Sequence, residues 1–184
     1  FVYVAANKEQ MVRLATRIAD GLMLGDTTEQ RLGSSLDLIG DNLASHGRSR
    51  KDLVVSCLVA WHVKENRKVS ISEARRHLAL RGMLDAWFLA TFLDEDECRI
   101  VEANRQNIYN AYKQKTDRID GVSDEIIDKL VDNLSMSGDY DNLDRHTETL
   151  RRYREMGLDE VAFKLHEDQD AAIRAIGERV LPAL

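Results

Sequence analysis

The sequence has no cysteine pair at metal or redox spacing. Its two cysteines, Cys57 and Cys98, form no C-x-x-C motif, so they read as buried thiols in a reducing compartment. A basic block is missing too. With 26 Lys and Arg against 32 Asp and Glu, the net charge is −6 and the pI about 5.4, which argues against a nucleic-acid partner. The densest basic cluster, Arg151, Arg152 and Arg154, lies among acids and reads as a solvated helix face. No apolar run approaches a membrane span, and no charged segment precedes an apolar one as in a secretory leader. A cytoplasmic protein without membrane or nucleic-acid partners is the expectation. Metal spacing is also lacking: there is no H-x-H or H-x-x-x-H, and Asp94–Glu97 lacks the alternating ligands and central glycine of a calcium loop. No metal is expected. With no low-complexity linker and no tandem repeat, 184 residues at 43% hydrophobic content predict a single domain, 1–184.

What is present is an alternation of strand and helix patterns. Phe1 to Ala6 is an apolar strand run, and Asn7 to Ala19 places Met11, Leu14, Ala15 and Ile18 at helical spacing. Asn7 is the predicted N-cap, with Gln10 as a loose capping-box partner. Gly21 is expected to supply the left-handed turn that ends this helix, before the buried strand Leu22–Gly25. Thr27 and Gln30 predict a capping box for a second helix that runs to His46. The run "LVVSCLVAWHV" then reads as a central strand, apolar on both faces. Ser70 and Glu73 form the next predicted capping box, opening a long helical region through Leu93. One helix is predicted over Asp94–Gln114, another over Ser123–Leu134, and a third from Tyr140 to the stop at Gly157, with Asp139 at its cap. "DEVAFKL" is a fourth strand, and Asp168–Val180 a last helix before Pro182, the chain's single proline.

The fold class is therefore α/β, with four parallel strands, alternating helices and extra helices between the third and fourth strands. An open doubly wound sheet and half of a (β/α)8 barrel both satisfy this count. A doubly wound nucleotide binder usually carries a Gly-rich turn after its first strand, and "AANKEQ" has no glycine, which tilts the balance toward the barrel.

The order of "VYVAANKEQMVRLATRIADGLMLG", "LVVSCLVAWHV", "YREMGLDEVAFKL" and "AIRAIGERVLPAL" resembles the C-terminal half of the luciferase-like monooxygenase superfamily. Within it, the chain is most similar to the coenzyme F420-dependent methylene-tetrahydromethanopterin reductases. The resemblance implies a (β/α)8 TIM barrel in which Val2–Ala6, Leu22–Gly25, Leu53–Val63 and Glu160–Leu165 are strands five to eight. The long helical stretch between Val69 and Gly157 is then the family's insertion. Phe1 would mark a break in a longer barrel, with the N-terminal half missing. Association with that half-barrel, or a homo-oligomer, is expected.

Active sites of such barrels lie at the C-terminal ends of the strands. Ala6-Asn7-Lys8-Glu9-Gln10 falls at such an end and opens a helix, whose first N–H groups and positive end suit a cofactor phosphate. Lys8 adds charge and Asn7 a side-chain donor. The resemblance implies the same contact. Many members carry a Ser/Gly-Gly-Pro-Lys-Met-like turn there; this chain has neither its glycine nor its proline, and Glu9 pointing inward would repel a phosphate. A purely structural helix cap is the other reading. At the end of the third strand, Trp61 and His62 alternate in direction, so one ring could contact a small-molecule substrate. The plainer reading is a core Trp beside a satisfied His. His46, His77, His146 and His166 carry weaker signals.

No nucleophile–base pair emerges, which suits a cofactor-borne hydride transfer. The preferred expectation is F420-dependent hydride transfer to or from a one-carbon pterin-type substrate. The alternatives are a reduced-FMN-dependent monooxygenase and a non-catalytic barrel relative or fragment.

Overall fold

The computed structural model describes residues 1–81 and 84–184. Gly82 and Met83, within the helical region expected between Ser70 and Leu93, lie outside the described residues. The chain divides into two compact units, Phe1–Val59 with Glu148–Lys164, and Ala60–Thr147 with Leu165–Leu184.

The first unit carries the sheet. Strand β1 (Tyr3–Ala5) leads into helix α1 (Glu9–Ile18), β2 (Gly21–Gly25), helix α2 (Glu29–Ser45) and β3 (Val54–Trp61), whose last two residues enter the second unit. After the helices of the second unit, α8 (Leu143–Glu155) returns the chain, and β4 (Glu160–Leu165) completes the strand order β1-β2-β3-β4. β1 pairs parallel to β2 with Val4 opposite Leu22, and β2 pairs parallel to β3 with Leu22 opposite Val55. The apolar stripes of α1 and α2 cover this sheet. Val12, Ala15, Leu32, Ile39 and Leu43 are buried with Leu22, Leu24, Val55 and Cys57 in one core. Each large aliphatic side chain so buried contributes about 1.5–3 kcal/mol. Burial also pushes the Cys57 thiol up to about 12, and both cysteines are free and buried.

Two electrostatic ties hold the ends of these elements. Arg48 donates to the carbonyls of Thr16 at 2.6 Å and Ala19 at 2.8 Å, satisfying groups that the end of α1 leaves open. Asp159 opens β4 by donating its N–H to the Val55 carbonyl and accepting from the Val55 N–H at 2.7 Å. The same carboxylate accepts from Arg50 at 2.7 Å.

Gly21 differs from expectation. It is a strand residue, and α1 ends instead on Ala19 in an extended conformation. An added Cβ there would run into the Tyr3 ring on the neighbouring strand, which would have to shift. That ring lies across the pair and donates its hydroxyl to Glu160 at 2.9 Å.

The second unit is helical. It contains α3 (Arg67–Arg76), α4 (Ala86–Leu89), α5 (Glu95–Ala103), α6 (Arg105–Gln114), α7 (Asp124–Leu134), the start of α8, and α9 (Gln169–Ala175). Its core gathers Leu78, Phe88, Leu89, Val101, Ile108, Ile127 and Leu130. The predicted helix Asp94–Gln114 is two helices. Asn104 breaks it at φ −107°, ψ 15°, its side-chain amide donating to the Ile100 carbonyl at 2.9 Å, the local competition that makes Asn a poor interior residue. Asp139 caps as expected, in a capping box with Asn142, and Asp94 caps α5 in another, with Glu97. Among the described residues, no helix is long and apolar enough to cross a membrane.

Candidate functional site

Ala6, buried, closes the strand end, and its N–H donates to the Met23 carbonyl at 3.0 Å. Asn7 does not cap α1. Its Oδ1 accepts from the Gly25 N–H at 2.7 Å, tying the turn after β1 to the end of β2. A tertiary partner thus displaces the local cap, and the N-cap position falls to Lys8, which makes no side-chain capping bond. The first turn of α1 therefore keeps the positive end of the helix open to the strand end. Glu9 is turned away: its carboxylate takes two bonds from Arg13, at 2.6 and 2.9 Å, along the outer face of α1. Gln10 is exposed.

A second cation reaches the same turn. Arg31, in the first turn of α2, donates from Nη2 to the Asn7 carbonyl at 3.3 Å, and burial lowers its guanidinium pKa. Helix α2 is capped by Thr28 rather than Thr27, whose carbonyl accepts from the Tyr153 hydroxyl at 3.0 Å. The turn after β1 thus carries the basic residues Lys8 and Arg31, with Glu9 paired to Arg13.

The end of β3 is built differently. The Met136 N–H donates to the Ala60 carbonyl and the His62 N–H to the Met136 carbonyl, both at 2.8 Å, fixing the backbone on either side of Trp61. The two side chains diverge, as alternation requires. Trp61 lies against His146, ring centroids 6.2 Å apart, and His62 meets Glu73 of α3. Both rings are 1% exposed. His146, itself buried, is held by the Ser137 carbonyl at 2.9 Å.

His62 is the centre of a buried polar cluster. Its Nδ1 lies 2.7 Å from Glu73 Oε1, and Lys64 Nζ lies 3.0 Å from Oε2 of the same carboxylate. Burial alone would raise the Glu73 carboxyl, but bonds from His62 and Lys64 outweigh it and hold the group below the usual carboxylate range. Glu73 is therefore ionised, and His62 donates Nδ1–H to it. Burial pushes the His62 imidazole below its ordinary value against the pull of Glu73, and Arg81 and His77 push the same way as burial. His77, at the C-cap of α3, and His166, one residue beyond β4, stack on it. Centroids are 4.8 Å apart for His62–His166, 5.6 Å for His62–His77 and 4.0 Å for His77–His166. These stacked rings make no metal centre: among the described residues no group of three or more His, Cys, Asp or Glu is placed to hold an ion.

The expected Ser70–Glu73 capping box is not one. Asn66 caps α3, accepting from Lys68 N–H at 2.9 Å, while Ser70 Oγ accepts from the Gly138 N–H at 2.7 Å. Sequence reasoning missed Glu73, Lys64, His77 and His166 as partners of His62. One signal was available: Glu73 and His77 are four apart, on one helix face.

The sequence model of the luciferase-like monooxygenase family matches residues 2–160. The chain belongs to that family. The coenzyme F420-dependent tetrahydromethanopterin reductase from Methanopyrus kandleri matches with a TM-score of 0.72 at 17% identity, over 98% of this chain and 50% of that one. An F420-dependent secondary alcohol dehydrogenase, solved with an F420–acetone adduct, matches with a TM-score of 0.67 at 16% identity, covering 98% and 48%. The FMN-bound oxygenating constituent of 3,6-diketocamphane monooxygenase from Pseudomonas putida matches at 0.52 and 14%, covering 99% and 48%. At these identities the likeness to the solved structures is one of fold. The chain spans about half the length of the structures it matches. No curated protein matches it.

Proposed function

We propose that residues 1–184 are the C-terminal portion of a luciferase-like (β/α)8 oxidoreductase, with β1–β4 as its strands five to eight and α3–α7 as an insertion. The preferred reaction is F420-dependent hydride transfer to or from a one-carbon pterin-type substrate. The observation that carries this reading is the turn at residues 6–10. An uncapped helix N-terminus, Lys8 and Arg31 converge there while Glu9 is drawn off by Arg13. Lys8 and the first N–H groups of α1 would hold the cofactor phosphate, and the bond from Gly25 to Asn7 would keep the turn in shape. When bound, the cofactor ring supplies the hydride chemistry, which leaves the chain to orient and to exclude water. Trp61 and His62, at the C-terminal end of β3, are proposed as part of the substrate wall. Reduced FMN remains the second reading, supported by the FMN-bound neighbour; a phosphate seat alone serves either cofactor.

Titrating the purified protein with F420 and with FMN, followed by fluorescence, ranks the two. Tighter F420 binding supports hydride transfer, the reverse order moves the protein to the monooxygenase branch, and binding of neither removes the oxidoreductase reading. Lys8→Ala tests the seat itself. Loss of a charge-assisted contact should weaken cofactor binding about ten- to hundredfold, less as salt rises. Unchanged affinity at low salt would make the turn a structural helix start only.

A further inference from the structure

We propose that the pocket between Tyr140 and the helix after β4 binds a small zwitterion of the amino-acid class, a carboxylate and an ammonium on a compact apolar body. The pocket lies within the second unit and has a volume of about 400 Å³, inside the range of about 300–1,000 Å³ usual for small-molecule sites. It shares no residue with the turn at 6–10 or with Trp61 and His62, so it stands apart from the oxidoreductase reading.

Most of the lining comes from α9 and its continuation. Ile176–Val180 extends α9 as a π-helix, a rare wider turn found mostly at functional sites. Glu178 and Arg179 of that turn line the pocket together with Ala171, Arg174 and Ala175 of α9. The two alanines leave room above the helix backbone for a ligand. Tyr140, half-buried, lines it from the segment before α8, with the Arg179 guanidinium 5.2 Å from its ring centroid. Asp168 completes the lining. It stands at the N-cap of α9 with φ +57° and makes no capping bond. A carboxylate suited to a helix end is held instead in a left-handed conformation that is costly for a non-glycine residue.

The charges of this pocket are not spent on one another. Asp170 and Glu178 stand four residues on either side of Arg174, the spacing at which Glu9 pairs with Arg13 and Glu95 with Arg99. Among the described residues, no ion pair or side-chain hydrogen bond engages Asp168, Asp170, Arg174 or Glu178. Their signs select the ligand. Three carboxylates oppose a simple anion, and two guanidinium groups oppose a simple cation. A zwitterion meets a partner for each of its charges: Arg174 for its carboxylate, Asp170 or Glu178 for its ammonium. Ala171, Ala175 and the Tyr140 ring then take its apolar side chain.

Titrating the isotope-labelled whole protein with L-phenylalanine, followed by amide chemical shifts, tests the site. Saturable shifts are expected at Tyr140 and across residues 168–179. Phenylpropionate and phenethylamine, which each keep one of the two charges, should bind about tenfold more weakly, and added salt should narrow the difference. In Arg174→Gln, a change at an exposed position, L-phenylalanine should bind no better than phenethylamine. Ala171→Leu, which fills the pocket and alters no charge, should abolish the shifts. Absence of shifts at millimolar L-phenylalanine would overturn the proposal, as would equal binding of the three probes. An Arg174→Gln protein that keeps the full preference, or shifts that persist in Ala171→Leu, would overturn it as well.

Discussion

The turn after β1 and the cluster after β3 both stand at the C-terminal end of a strand, yet they are opposite kinds of construction. The first is a run of five adjacent residues, mostly exposed, with its charges on flexible side chains. The second draws on residues 62, 64, 73, 77 and 166, and its central imidazole and carboxylate are almost wholly removed from water. A contiguous exposed turn is visible to anyone reading along the chain. A buried cluster assembled from distant residues is visible only once the fold is known, and changes in it alter stability.

Glu73→Ala should have the largest effect. It leaves Lys64 and His62 without their shared carboxylate in a dry site, and breaking a buried pair costs about 3–5 kcal/mol. Chemical denaturation checks this, and Glu73→Gln, which keeps an acceptor for His62, should lose less. If the alanine variant loses no more than a surface substitution, the cluster is not the buried network described here.

Acid should act next. The folded-state pKa of His62 lies below its unfolded value, so the unfolded chain binds the proton first. The stability contributed by keeping the ring neutral is present above an ordinary imidazole pKa of about 6.5. It is lost as pH falls from there toward the depressed folded value. Denaturation midpoints should therefore decline below that pH in the parent protein, and less steeply in His62→Phe.

Asn7→Ala should cost about 1–2 kcal/mol, because the half-buried Gly25 N–H loses its acceptor. A normal cap loss would give a similar figure. The distinction is that amide exchange should rise at Gly25 on β2 rather than in the first turn of α1.

Lys8→Ala should have the smallest effect on the fold. Its side chain is exposed, and surface substitutions usually stay within about 0.5 kcal/mol, so the denaturation midpoint should move little while phosphate-bearing cofactor should bind more weakly. A shift in midpoint comparable to that of Asn7→Ala would erase the contrast between the two strand ends.

The strands were readable because short apolar runs bounded by polar turns leave few choices. Glu160–Leu165 has the bounds expected, and the other three differ by only a residue or two at an end. The capping residues were less readable, and for one physical reason. Asn7 and Ser70 both look like helix starts, and the side chain of each is engaged elsewhere, Asn7 by Gly25 and Ser70 by Gly138, while Thr27 yields the cap to its neighbour Thr28. A short polar side chain serves a cap or a tertiary bond equally well, and local sequence does not say which. Gly21 shows the same ambiguity in a backbone position, chosen for a neighbour's ring rather than for a turn. Of the candidate site, the turn at residues 6–10 and the pair Trp61–His62 were legible, but not the carboxylate that accepts the histidine's hydrogen bond.

The strand order β1-β2-β3-β4 also has a kinetic meaning. The first three strands pair with sequence neighbours through single helices, whereas β4 reaches β3 only after the whole helical excursion from His62 to Asp159. Loop closure grows only logarithmically with length, about 0.6 kcal/mol per doubling, so the excursion burdens stability little. It burdens speed more, because contacts distant in sequence form late. The bonds from Val55 and Arg50 to Asp159 should then be absent from the rate-limiting step of folding, so weakening them would hasten unfolding and leave the folding rate nearly untouched.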